Sequence, residues 1–149
     1  MILSANLSLD EVVKSQTAIR NGIDNRPTQE HIENLKEIAL NVFQPLRDWY
    51  GKPIFISSGY RSKALNTAIN GSLTSQHSKG EALDLDVDLD NYKLFNYIKN
   101  NLTFDQLIYE FGDENCPAWV HVSYSKGANR GQILRAMKVN GKTKYLSYE

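Results

Sequence analysis

The chain has 149 residues, 41% of them hydrophobic and 23% charged, which is enough to enclose one sizeable core. Seventeen Lys and Arg balance seventeen Asp and Glu, so bulk charge gives no basis for binding nucleic acid or a membrane surface. No apolar run approaches the ~20 residues that span a bilayer, and a single cysteine, Cys116, excludes an intramolecular disulfide.

The opening "MILSANLSLDEVV" lacks a basic n-region and an unbroken apolar h-region. The expectation is a chain made in the cytoplasm without a signal peptide, reaching any target outside only after release. "SLDE" (8–11) has the form of a capping box and predicts a short helix. Residues 15–27, punctuated by Gly22 and Pro27, read as an ordered loop. Over 28–51, Ile32, Leu35, Ala39, Val42, Phe43, Leu46 and Trp49 follow the helical period. Thr28 caps that helix, Pro45 kinks it and Gly51 ends it. A short strand is predicted over 52–57 and a helix over 62–71, capped by Ser62 and stopped by Gly71.

"EALDLDVD" (81–88) alternates strictly, with Leu83, Leu85 and Val87 on one face and Asp84, Asp86 and Asp88 on the other, which is the period of a strand. A helix follows over 90–101. Strands over 104–111 and 118–125 are joined by a loop holding Gly112 and Pro117. Strands over 131–139 and 142–148 flank Asn140-Gly141, a strong hairpin signal. The predicted class is a single α+β domain over 1–149, with helices in the N-terminal half packed on a mainly antiparallel sheet. A monomer is expected.

A row of aspartates on a strand is costly to bury unless the charges are paired or bind a cation. His77 precedes the strand across a turn at Gly80, and can fold back so that its imidazole meets Asp84. A third ligand is available if strands 104–111 and 118–125 pair with Phe111 opposite Ala118. Glu110 then faces Trp119, Ile108 faces His121, and Glu110, Trp119 and His121 share one sheet face. Two histidines and a carboxylate, with a water as fourth ligand, form a catalytic zinc site in which a nearby carboxylate can take the proton of the water. Spacing does not decide the matter. A His-to-Asp interval of seven also arises by chance, and a lone strand histidine is commonly a satisfied core residue.

Three blocks in order, "SGYRS" (58–62), "SQHSKGEALDLD" (75–86) and "WVHVS" (119–123), resemble the zinc peptidases that cleave bacterial cell-wall stem peptides. These include D-Ala-D-Ala carboxypeptidases and phage L-alanyl-D-glutamate endopeptidases, with the hedgehog signalling domain as a distant relative. The resemblance covers residues 5 to 125 and lies nearest a compact phage-type subgroup. It implies the corresponding α+β fold, one zinc ion held by His77, Asp84 and His121, and a peptidoglycan stem peptide as substrate. It also implies that Arg61 faces the cleft, where its guanidinium would hold a substrate carboxylate or the scissile carbonyl. An ordinary ion pair is the plain alternative for Arg61. Ser75 would hydrogen-bond substrate or fix its loop, and Tyr60 and Trp119 would line the groove, though a core tryptophan is the default for Trp119.

One departure stands out. Many members carry the catalytic carboxylate three residues before the last zinc histidine, and here that position is Ala118. The strand-pairing argument nominates Glu110 as the base, with Asp113 and Glu114 in reserve. The expected function is hydrolysis of a stem-peptide bond, by a carboxypeptidase or an endopeptidase, in a lytic or virion-associated enzyme of phage or prophage type. The alternative is a non-catalytic zinc-containing module that binds cell wall or serves in the virion. His31 reads as a capping or surface residue, Cys116 as a small loop residue, Asp86 as either a support for the site or a solvated carboxylate, and Asp88 and Asp90 as solvated or capping groups.

Overall fold

The computed structural model describes residues 1–148. A small ribbon, β1 (Ile2–Ser4) and β2 (Leu7–Ser8), leads into α1 (Leu9–Val13). The expected capping box opens α1: the Ser8 hydroxyl accepts the Glu11 N–H, and the Glu11 carboxylate accepts the Ser8 N–H. Residues 15–27 depart from the expected loop, because Gln16–Asn21 form α2. Ser15 caps this helix and Gly22, at φ +63°, closes it. Only Ala18 in it is buried, so no apolar stripe announces it, and its end caps were the available signal.

The long predicted helix has its expected ends. Thr28 caps α3 (Gln29–Ile38), with His31 as the reciprocal partner, its Nδ1 accepting the Thr28 N–H. His31 is therefore a capping residue. The kink expected at Pro45 takes the form of a wide turn just before it. Residues Ala39–Phe43 are a π turn, and the Gln44 N–H donates to the Ala39 carbonyl five residues back. Pro45 then follows the π turn at the start of α4 (Gln44–Tyr50).

The remaining elements are β3 (Phe55–Ser58), α5 (Lys63–Ala68), β4 (Ala82–Asp86), α6 (Asn91–Asn101), β5 (Gln106–Glu110), β6 (Trp119–Ser123), β7 (Gln132–Val139) and β8 (Lys142–Ser147). The strands from β3 onward form one sheet in the order β3-β4-β6-β5-β7-β8. Every pair in it is antiparallel except β5 with β7. Asn140 and Gly141 both have positive φ, 52° and 77°, as the tight β7–β8 turn requires. The parallel pair was not expected. It depends on the crossover from β6, which is clamped where Arg130 donates from Nε and Nη2 to the two oxygens of buried Asp105, at 3.0 and 2.9 Å. The chain is thus a mixed α+β fold with a mainly antiparallel sheet.

The two faces of this sheet differ. Leu83, Leu85, Leu107, Tyr109, Val120 and Val122 are buried in the main core, together with Leu35, Ile38, Leu46, Leu94 and Phe95 from the helices. Alternation therefore puts Asp84, Glu110 and His121 on the face away from that core. No helix among the described residues is long and apolar enough to cross a membrane.

Candidate metal centre

The register between β5 and β6 decides which side chains meet. Glu110 pairs with Trp119 and Ile108 with His121. On the other side of β6, Asp84 pairs with His121, and Ser58 of β3 pairs with Asp84. Directly paired residues share a face, so one rung carries Ser58, Asp84 and His121, with Glu110 and Trp119 on the next.

His77 reaches this rung from a 3₁₀ turn over Gln76–Lys79. Ser75 caps the turn by accepting the His77 N–H, and Gly80, at φ +77°, closes it. Of the two roles expected for Ser75, fixing the loop is the one this hydrogen bond displays. The His77 ring is buried, and its Nδ1 lies 2.7 Å from the Gly59 carbonyl oxygen. A carbonyl can only accept, so Nδ1 carries the proton and Nε2 presents a lone pair. Nε2 stands 3.4 Å from Asp84 Oδ1, and His121 Nδ1 stands 3.0 Å from the same oxygen. The donor atoms of His77, Asp84 and His121 all lie within 4.8 Å of one another.

This donor set fits zinc. Tetrahedral bonds of ~2.0 Å place ligand atoms roughly 3.3 Å apart, against 3.0 and 3.4 Å here. Two imidazoles and a carboxylate are a usual zinc set, and the Gly59 carbonyl already fixes the tautomer that one imidazole needs. Gly59 cannot be replaced cheaply, since a Cβ on it would lie 2.3 Å from the Val12 carbonyl oxygen.

Electrostatics favour the ligand form of Asp84 and of His77. Burial opposes ionisation of Asp84, but its polar neighbours, the His121 hydrogen bond among them, outweigh it and hold its carboxyl well below the usual range. Burial lowers the His77 pKa and keeps its imidazole neutral, against the pull of Asp84. Arg61 is mostly buried and lies with Nη2 3.5 Å from Asp84 Oδ2. Its Nε donates to Ser58 Oγ and its main-chain N–H to the His77 carbonyl. Burial lowers the Arg61 pKa, while Asp84 and Glu110 resist that shift. Arg61 thus pairs with Asp84 and also lines the adjacent groove.

Glu110 is 7% exposed, and its Oε1 has no hydrogen-bond partner among the described residues. Burial raises its pKa from 4.5 to about 7, and Asp84 adds to the rise, while His121, Trp119 and Arg61 pull the other way. The Trp119 Nε1 is likewise buried without a partner of good geometry, and its ring packs at 5.3 Å from Phe111. Tyr60 is 5% exposed and lies 5.0 Å from the His31 ring, so it offers the groove only a narrow edge. The reserve carboxylates are occupied or remote: Asp113 Oδ1 accepts the Asn115 and Cys116 N–H groups in an exposed turn, and Glu114 is exposed beside it.

Asp86 does not support the histidines. It accepts the Asn91 side-chain amide and the Asp88 N–H, tying β4 to α6. Asp90 accepts the Tyr50 hydroxyl at 2.7 Å. Ser58 and the Gly59 carbonyl were missed as site groups, and a main-chain carbonyl has no residue-type signal by which to find it.

The family model for Peptidase M15 matches residues 5–123, a span that holds all of the groups above. The chain belongs to the peptidase M15 family. These are zinc-dependent metallopeptidases that act on peptidoglycan-type substrates, and His77, Asp84 and His121 form a group that could hold such an ion. No curated protein matches the chain.

Proposed function

We propose that this peptidase hydrolyses a peptide bond in the stem peptides of bacterial peptidoglycan, with His77, Asp84 and His121 as ligands of one zinc ion and Glu110 as general base. A buried, unpartnered carboxylate one rung from three converging metal donors carries this reading. When bound, zinc supplies Lewis-acid polarisation of the scissile carbonyl and lowers the pKa of a water.

The protein's own residues do the rest. Glu110 takes the proton of the attacking water and passes it to the leaving amine. One carboxylate can do both, since the group that takes a proton as a base can return it as an acid. Arg61 pairs with Asp84 on the Oδ2 side, leaving Oδ1, the oxygen that faces His77 and His121, for the metal. Beyond Arg61 and Ser58 a groove of about 1020 Å³ follows the free edge of β3, past Phe55 and Ile56. None of His77, Asp84, Glu110 and His121 lines that groove, so its size does not choose between a terminal and an internal bond. The resemblance of the three sequence blocks to phage-type enzymes supports a lytic or virion-associated role.

Purified peptidoglycan tests the reading. The zinc-loaded protein should release new amino groups, a chelator should stop the release, and mass spectrometry of the fragments should show whether a terminal or an internal bond is cut. Walls left intact by the zinc-loaded protein would favour a binding module instead.

A further inference from the structure

The family match ends at residue 123, yet β7 and β8 extend the sheet beyond it and join it alongside the strand that carries Glu110. Register links them rung by rung: Trp119 pairs with Glu110, Glu110 with Ala136, and Ala136 with Tyr145. Tyr145 therefore shares the site face, two strands from Glu110 and roughly 10 Å away along the hydrogen-bonding direction. The residue between them is an alanine, whose small side chain leaves the space above it to its neighbours. Ala136 is fully buried without belonging to the main core, so those neighbours close over it. Tyr148 instead packs in the main core against Phe95 and Tyr109.

Across the open face the order is Arg61, Asp84, His121, Glu110, Ala136, Tyr145. A peptide with its scissile bond between the metal donors and Glu110 runs toward Arg61 on one side and over Ala136 on the other. Glu110 protonates the leaving amine, so the leaving half lies on its own side. We infer that Tyr145 is a substrate-contacting residue of this site, its hydroxyl donating a hydrogen bond to the leaving half of the peptide. The residue is 56% exposed, which leaves the phenol open to a ligand. Burial, and then the charges of Glu110 and Asp84, raise its pKa above 10, so the hydroxyl keeps its proton at neutral pH and shares the field of both carboxylates.

The assignment rests on the peptidase reading. Its test compares wild type with Tyr145→Phe, both zinc-loaded, on two stem peptides that share the scissile bond and differ in length on the leaving side. The variant keeps the ring and should keep the melting temperature and zinc content. Its kcat/KM should fall about tenfold on the long peptide, as for loss of one hydrogen bond, and by less on the short one. Equal kcat/KM for the two proteins on the long peptide would overturn the role of Tyr145 while leaving the peptidase reading intact. An equal fall on both peptides would overturn the leaving-side placement. A wild-type protein that cuts neither peptide would overturn the peptidase reading and this assignment together.

Discussion

At the scale of single residues, Glu110 is stable as an acid and useful as a base. Its folded pKa of about 7 lies above the ordinary 4.5, so the metal-free folded state prefers the protonated form. That preference is fully present below pH 4.5 and is lost as pH rises through 7. Glu110→Gln, neutral throughout, should therefore gain stability over wild type between pH 4.5 and pH 8, by up to about 3 kcal/mol. Urea unfolding of the two metal-free proteins at both pH values measures it, and a difference that does not change with pH would contradict the burial argument. In the zinc-loaded protein the same substitution should cut kcat by about 10²–10⁴-fold with zinc still bound; near wild-type turnover would remove Glu110 from the mechanism. Asp84 behaves in the opposite sense, since its neighbours hold it ionised and Arg61 is packed against it. Asp84→Ala should abolish stoichiometric zinc and destabilise the metal-free fold by about 3 kcal/mol, because a guanidinium is left buried without its partner. Metal analysis and thermal melts of the variant check both effects.

At the scale of elements, what was legible in the sequence followed from period and from chain-local turns. The β5–β6 register was readable because one slipped residue would turn Glu110 and His121 to the other face. The β7–β8 hairpin was readable from Asn140-Gly141. The parallel placement of β7 was not, because the Asp105–Arg130 clamp joins residues 25 apart that no local pattern connects. The His77 turn depends on one glycine in the same hidden way. A Cβ on Gly80 would lie 2.5 Å from the main-chain oxygen of His31, in a left-handed conformation that side chains rarely adopt. Gly80→Ala should therefore cost about 1–3 kcal/mol and, by shifting the 3₁₀ turn that carries His77, weaken zinc in a chelator competition. Gly22→Ala is the control. It has a similar φ, +63°, but nothing within 4 Å of the added carbon, so it should cost about 1 kcal/mol and leave zinc affinity unchanged. Equal zinc affinity in Gly80→Ala would show that the turn does not set the position of His77.

At the scale of the whole molecule, the three proposed ligands come from a loop and two paired strands, so one ion would tie the loop to the sheet. The His77 turn is held to the rest by the Arg61 N–H on the His77 carbonyl, the Asn34 amide on the Lys79 carbonyl and the His77–Gly59 contact. The β7–β8 hairpin supplies none of the ligands. Zinc binds the folded chain and finds no formed site in the unfolded one, so at a free concentration a hundredfold above its dissociation constant it should add about 2.7 kcal/mol of stability. For a chain of this length that corresponds to a rise of roughly 5–10 °C in melting temperature, reversed by chelator. The gain should be uneven. Amide hydrogen exchange should slow most over residues 75–80 and 119–123, where ligand residues are newly pinned, and change little over 132–147. A melting temperature indifferent to chelator, or protection spread evenly over both regions, would mean that the three side chains do not hold a common ion.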